Sequence, residues 1–302
     1  MSDLATRHSA VATSVLPRIS LVTPVFNSAK YLEQTIQSVL AQNYPNLEYF
    51  IIDGGSTDGS IDIIRKYESQ ISGWLSEPDK GMYDAINKGF ARTTGEIMGW
   101  ISATDMLHVG GLSVVGSVFR SLPEVEWIEG LHSVFNEAGM TIVVERPWHW
   151  SRYRFLAGVN HFIMQEATYW RRTLWEKAGG HVDASQRNGS DFELWVRFFR
   201  HARLYPVNAL IGGYRYHLDA LGVVAADEWQ GTHDRAIESE LKSMPWGKAV
   251  RLFRAIDSRM KKIRGLRYFW WRLIERPLYM WRGQDWPPVI RYFEGKGWLC
   301  DR

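Results

Sequence analysis

The chain has 302 residues, 45% of them hydrophobic, which is enough to bury one large core or two small ones. Its one cysteine, Cys300, excludes an internal disulfide framework and fits a reducing compartment, and no run approaches the ~18 apolar residues of a membrane-crossing helix. The formal charge of +3 conceals an asymmetry: residues 245–302 carry 14 Lys and Arg against 5 Asp and Glu and six of the 15 tryptophans, while residues 1–244 carry 22 against 28, which marks a separate surface-binding element.

Residues 1–17 read as a flexible lead with no secretory signal. A first strand is expected over 18–24. A helix near 29–41 follows, with Leu32, Ile36, Val39 and Leu40 at helical spacing. Tyr44-Pro45-Asn46 is a turn. A second strand covers 47–53, and a helix near 59–69 buries Ile61, Ile64 and Tyr67. A short strand around 74–76 runs into the turn Glu77-Pro-Asp-Lys-Gly81. A helix near 82–91 and a fourth strand over 96–101 complete a β-α-β-α-β-α-β alternation. That order predicts a mostly parallel sheet with helices on both faces. Beyond it the pattern loosens: a helix over 110–121, a strand over 125–135, irregular chain over 140–165, helices near 171–178 and 190–201, strands near 203–207 and 210–217, and a helix over 226–243.

In open parallel sheets, ligands sit at the carboxyl ends of the strands. The second strand delivers Asp53 there, followed by Gly54-Gly-Ser-Thr-Asp-Gly59. A carboxylate only accepts hydrogen bonds, so beside a base edge Asp53 favours uracil, thymine or guanine; equally, it can cap the following turn through the Ser56 or Thr57 amides. Asp105 follows strand four in Ser102-Ala-Thr-Asp105, as a turn former or as a ligand that lets a hard cation bridge to a diphosphate. Asp191, at a helix start after Asn188-Gly-Ser190, complements the helix dipole or acts as a general base toward an acceptor hydroxyl. His217 ends Gly212-Gly-Tyr-Arg-Tyr-His217, as a polar filler or a metal ligand.

Taken together, these segments resemble the inverting glycosyltransferases of family 2, which have the GT-A fold, over residues 18–220. The matching runs are Ser20-Leu-Val-Thr-Pro-Val-Phe-Asn27, Ile52-Asp-Gly-Gly-Ser-Thr-Asp-Gly-Ser60, Glu77-Pro-Asp-Lys-Gly-Met-Tyr-Asp-Ala-Ile-Asn-Lys-Gly89, the loop ending in Asp105, Gln165 to Gly180, Ser190-Asp191 and Tyr214-Arg-Tyr-His217. The resemblance implies that Thr23, Pro24 and Asn27 lie along the nucleoside and that Asp53 binds the base. Asp79, Lys80 and Asp84 would line the nucleotide side of the crevice. Asp105 would hold Mg²⁺ or Mn²⁺, Asp191 would be the catalytic base, and His217 would close on the metal or diphosphate.

Two departures stand out. Thr104 replaces the first of the two acids that family members usually carry before the metal contact, which bears on metal affinity and donor choice. Ser190 stands where many members have Glu. The implied donor is a uridine, thymidine or guanosine diphosphate sugar, and the implied acceptor is a saccharide or lipid-linked hydroxyl in surface polysaccharide or glycolipid assembly. The competing reading, kept open by Thr104, is a non-catalytic nucleotide-sugar-binding or scaffolding protein. No G-x-G-x-x-G follows strand one, which argues against a dinucleotide site.

The domain division expected is 18–244 for the GT-A body, with a nucleotide half over 18–108 and an acceptor half over 109–244. A basic, Trp-rich amphipathic helical tail would follow over 245–302. Leu252, Ile256, Met260 and Ile263 form its apolar stripe among Arg251, Arg254, Arg259, Lys261, Lys262, Arg264 and Arg267. Such a segment suits an anionic membrane surface, here through residues 246–294, or packing on the enzyme body or a partner subunit; the membrane reading places the protein in the cytoplasm, peripheral on the inner face of the membrane. No nucleic-acid module is present.

Overall fold

A computed structural model describes residues 16–158, 162–218, 226–263, 269–270, 272–273 and 286–301. Residues 1–15 of the lead expected over 1–17, and much of the aromatic segment after residue 263, lie outside the described residues.

The opening alternation is present as β1 (Ile19–Val25), α1 (Ala29–Leu40), β2 (Leu47–Asp53), α2 (Ser60–Tyr67), β3 (Gly73–Ser76), α3 (Met82–Phe90) and β4 (Ile97–Trp100). The next elements are β5 (Met106–Leu107), α4 (Gly111–Ser121), β6 (Trp127–Glu129), β7 (Ser133–Phe135), β8 (Thr141–Val144) and α5 (Arg152–Ala157). Then come β9 (Thr168–Arg171), α6 (Arg172–Lys177), α7 (Ser190–Phe198), β10 (Tyr205–Pro206) and β11 (Gly212–Arg215). The chain closes with α8 (Ala226–Ser243), α9 (Gly247–Lys262) and a hairpin of β12 (Val289–Phe293) and β13 (Gly297–Asp301).

The main sheet runs β10-β6-β9-β4-β1-β2-β3. β9 is antiparallel to both its neighbours, and the other six strands share one direction. This is the mostly parallel α/β sheet of the GT-A fold. A smaller sheet, β5-β11-β7-β8, stands beside it. The register sets Val25 opposite Asp53 and Asp53 opposite Ser76, so three strands end level at one rim.

Strand side chains divide between two cores, because successive residues point to opposite faces. Leu21, Ile51 and Ile97 pack with Leu32, Ile36, Val115 and Phe119 on the face of α1, α2 and α4. Val22, Ile52 and Met98 pack with Ile86, Phe90, Trp195 and Phe198 on the face of α3 and α7. The near-continuous burial of β1 and β4 is what a strand covered on both faces requires. In the second core Trp100 stacks on Trp195, with centroids 5.9 Å apart and planes 5° apart, and Trp195 on Trp127 at 5.4 Å. The Trp100–Trp195 stack fixes α7 against β4, one turn beyond Asp191.

Three expectations need correction. The single strand over 125–135 is two, β6 and β7, in different sheets, because Gly130-Leu-His132 turns the chain between them. β9 was not anticipated; it wedges between β4 and β6. The C-terminal segment is not helical to its end: β12 and β13 form a hairpin, and the fully buried Ile290 joins the first core, bridging to Val207.

Candidate active site

The site is built where β1, β2 and β3 end. Asp53 is fully buried. Its Oδ2 accepts hydrogen bonds from the Gly55 and Ser56 amides, both at 3.0 Å, and from Ser76 Oγ at 2.7 Å, and its Oδ1 accepts from Ser56 Oγ. Of the two roles open to it, capping is thus realised in the geometry. Asn27, at φ 46°, joins the neighbouring loop: its amide donates to Ser56 Oγ at 2.8 Å, and its Oδ1 accepts the Thr57 amide at 2.9 Å. Thr23 is buried, with its hydroxyl 3.0 Å from that of Tyr49, and Pro24 is buried beside it in β1. The Thr23 side chain therefore belongs to the sheet, and Asn27 is the residue of this group that reaches the rim.

Asp79 stands over Gly54, where a Cβ would fall 2.7 Å from Asp79 Oδ2. Its carboxyl is pushed up by burial, a shift opposed by the Gly81 amide donating at 2.8 Å and assisted by the nearby Asp84 and Asp53 charges. Asp84 accepts from the Lys80 amide at 3.2 Å and pairs with Lys88 at 3.3 Å. The Lys80 side chain is exposed. Tyr83 then links this half to α7. Its hydroxyl donates to Asp191 Oδ1 at 3.2 Å and accepts the Gly189 amide at 3.0 Å.

Burial raises the Asp191 carboxyl, while the Phe192 amide and the Tyr83 hydroxyl pull it back down. Asp105 is buried at the head of β5, with the Arg215 amide donating to its Oδ1 at 2.8 Å. Burial pushes it up from 3.8 to about 6, against that amide and the Arg215 charge. The fully buried Arg215 bonds Gln34 at 2.6 Å and lies 5.0 Å over the Tyr31 ring. His217, also buried, lies 4.9 Å from that same ring, and its charge acts on Glu137.

Sequence reasoning missed Glu166. It sits in the single turn 165–167 before β9, 8% exposed. Its carboxyl is raised well above the ordinary range, first by burial and then by Asp105 and Asp191. Glu166 therefore lies within reach of both acids and ties them into one cluster. Gln165 anchors the turn to β4 through the Trp100 carbonyl at 2.5 Å, and a Cβ at Gly212 would fall 2.0 Å from the Glu166 carbonyl oxygen, so β11 needs glycine there to approach. The one sequence signal was an acid in the Gln165 run with no periodic pattern to explain it.

The other end of the sheet offers no such chemistry. A depression of about 340 Å³ lined by Glu124, Glu126, Arg200, His201 and Arg203 lies at the amino ends of β6 and β10. Among the described residues, no group of three or more His, Cys, Asp or Glu side chains is arranged to hold a metal ion. The buried carboxyls of Asp105 and Glu166, which share a side-chain hydrogen bond, are oxygen donors of the kind a hard divalent cation takes.

The mostly parallel sheet with helices on both faces is that of the GT-A transferases. Residues 20–111 match the model of the glycosyl transferase family 2. An uncharacterized glycosyltransferase of Mycobacterium tuberculosis is 32% identical over 171 residues, covering 55% of this chain and 63% of its own length. The chain spans under two thirds of the length of this and other curated relatives it matches. Among solved structures, Staphylococcus aureus TarS 1–349 in complex with UDP-GlcNAc superposes with a TM-score of 0.63 at 14% identity, covering 87% of this chain and 77% of that one. The mannosyltransferase PcManGT of Pyrobaculum calidifontis, in complex with GDP-Man and Mn²⁺, gives 0.52 at 15% identity, covering 90% and 84%. At these identities the likeness establishes the fold.

Proposed function

We propose that the chain transfers a sugar from a nucleoside diphosphate sugar to an acceptor hydroxyl with inversion at the anomeric carbon, in the assembly of a surface polysaccharide or glycolipid. The observation that carries this reading is Asp191: a half-buried carboxyl at the start of α7, held up in pKa by desolvation, hydrogen-bonded to Tyr83 of the nucleotide half and in electrostatic contact with Glu166. A carboxylate tuned upward by burial is suited to general-base work.

Asp191 takes the proton of the acceptor hydroxyl as that oxygen attacks the anomeric carbon opposite the departing diphosphate. One base suffices, whereas a glycosidase needs an acid on its leaving oxygen as well. Asp105, with His217 behind Tyr31, would hold Mg²⁺ or Mn²⁺, which neutralises charge on the leaving diphosphate. The Asn27, Asp53 and Asp79 loops frame the base and ribose, with Lys80 and Asp84 flanking them. Asp53 acts here by fixing the loop that presents Gly54 and Gly55. The nucleotides bound in TarS and PcManGT, of uridine and guanosine type, are consistent with this donor class. A thermal-shift panel of UDP, dTDP and GDP and their sugars, with and without Mn²⁺, tests the reading. At least one should raise Tm more with Mn²⁺ than without, and a flat panel contradicts it.

We further propose that α9 lies on an anionic membrane surface, which places a lipid-linked acceptor within reach and the enzyme at the cytoplasmic face. Leu252, Ile256, Arg259 and Ile263 share one exposed helical face, with Leu252 63% exposed, and an apolar stripe with a flanking cation suits a headgroup interface. Among the described residues no helix is long and apolar enough to cross a membrane. Because Ile290 is buried in the body, deleting the C-terminal segment would damage the fold. The sharper test is Leu252→Glu with Ile256→Glu in flotation with anionic liposomes; flotation equal to wild type contradicts the idea.

A further inference from the structure

We propose that His132, Trp148 and Phe162 form a platform on which a pyranose ring of the acceptor lies, beside the turn that carries Glu166. The inference rests on the transfer reading above and deepens it by naming the acceptor as a sugar. The platform stands at the same rim of the sheet as the acids. Glu129 ends β6 there, paired with Thr168 of β9, and the Gly130 amide that follows it donates to the Ala167 carbonyl of the Glu166 turn at 3.0 Å. The helix after Trp150, α5, lays Phe155 on Phe192, the residue next to Asp191, with centroids 4.5 Å apart and planes 21° apart. The chain around the platform is thus tied both to the Glu166 turn and to the helix that carries Asp191.

The rings are held from beneath by a buried charge. Glu129 is 1% exposed, and a carboxylate so buried needs donors. It receives the Met164 amide at 2.7 Å, His132 Nε2 at 2.8 Å and Trp150 Nε1. The first fixes the chain that runs from Phe162 into the Glu166 turn, and the second fixes the His132 ring. Trp148 lies face-on to His132, with centroids 4.7 Å apart and planes 27° apart, and Phe162 stands edge-on to it at 6.1 Å and 79°. The Trp148 indole is oriented by its Nε1, which donates to Glu145 at 2.9 Å, and the Glu145 amide donates in turn to the His132 carbonyl at 2.9 Å. Phe162 is 46% exposed, Trp148 is half-buried and Glu145 is exposed, so oriented aromatic surface meets solvent beside a carboxylate. A pyranose matches such a surface. One of its faces is made of C–H groups that pack on aromatic rings, and its hydroxyls donate from the ring edge to a carboxylate. Small-ligand sites combine aromatic walls with a few oriented polar groups in this way. A prenyl or acyl chain would cover the rings equally but gain nothing from Glu145, and the transfer itself requires a hydroxyl-bearing compound within reach of Asp191.

The test is saturation-transfer-difference NMR of the full chain with the methyl glycosides of glucose, galactose, mannose, rhamnose and N-acetylglucosamine, and with octyl β-glucoside below its micelle concentration. Wild type, Trp148→Ala, Trp148→Phe and Phe162→Ala are compared, each with its melting temperature. At least one glycoside should bind wild type with saturation on its ring C–H groups. Each alanine removes an aromatic face from the contact, so Trp148→Ala and Phe162→Ala should each weaken that glycoside by about 10-fold, and Trp148→Phe should recover part of the loss. No glycoside bound by wild type overturns the proposal, as does equal affinity in all the chains compared. Saturation confined to the octyl chain would show a lipid-binding surface and overturn it too. A loss in Trp148→Ala that comes with a lowered melting temperature, without loss in Phe162→Ala or recovery in Trp148→Phe, is a folding defect and also overturns it. The probes contain no nucleotide, so the nucleotide panel reports on the donor separately: ring binding beside a flat panel would keep the platform and end the transfer reading.

Discussion

Tyr83 and Asp191, 108 positions apart, share a hydrogen bond of 3.2 Å that joins α3 to the start of α7. The same hydroxyl accepts the Gly189 amide, which caps the entry to α7. One phenol thus sets both the orientation of the carboxylate and its proton affinity.

Tyr83→Phe removes a donor that holds the Asp191 pKa down, so the already raised carboxyl moves higher still. A base works only when deprotonated. The acidic limb of the kcat profile should therefore shift to higher pH, with activity recovering above it. The buried Gly189 amide loses its acceptor, which should cost about 1–3 kcal/mol of stability. A pH profile of turnover with a urea melt checks both; an unmoved acidic limb would mean Tyr83 does not tune Asp191.

Asp53→Ala withdraws the acceptor for two amides and two hydroxyls. Hydrogen bonds to a charged group contribute about 1.5–3 kcal/mol each and do not add simply, so a loss on the order of 3 kcal/mol is expected. Nucleotide binding should fail with it, because the loop loses its shape. Urea denaturation beside the nucleotide thermal shift separates the two roles of Asp53. Wild-type stability with lost nucleotide binding would assign the carboxylate to the base rather than to the loop.

The fold was legible where hydrophobic pattern and turn chemistry agreed. β1 and β2 carry near-continuous apolar runs into Asn27 and Gly54-Gly55, and both strands fell within a residue of their expected ends. Asp53 showed the limit of sequence alone: base contact and turn capping demand the same residue type, and the Ser76 hydroxyl that shares in the capping comes from a different strand. Glu166 was not legible because its neighbours in the cluster, Asp105 and Asp191, are far away in the chain and its own segment has no period. β9 was hidden by its length, four residues between a turn and a helix. The C-terminal hairpin had signals, Pro287-Pro288 before it and Gly295-Lys-Gly297 at its tip, but mixed aromatic and basic residues masked them as an amphipathic helix.

Asp105→Asn changes the pH dependence of stability in a defined direction. In EDTA the wild-type carboxyl is raised from 3.8 to about 6 in the folded state. The folded chain then holds a proton that the unfolded chain has released, so this group's contribution is full below about pH 4 and is lost as pH rises through about 6. The asparagine cannot titrate and still accepts the Arg215 amide. Melting temperatures in EDTA should show Asp105→Asn gaining on wild type between pH 4 and 6. A constant difference across that window would mean that Asp105 titrates normally.

The central claim, that Asp191 is the base of a sugar transfer, is tested most directly by nucleoside diphosphate release from UDP-, dTDP- and GDP-sugars with Mn²⁺, wild type against Asp191→Asn. General-base catalysis contributes about 10²–10⁴-fold, so the variant should slow release from the accepted donor by that factor while still binding it. No release by wild type from any donor would favour a binding protein without chemistry, and equal release by both chains would contradict Asp191 as the base.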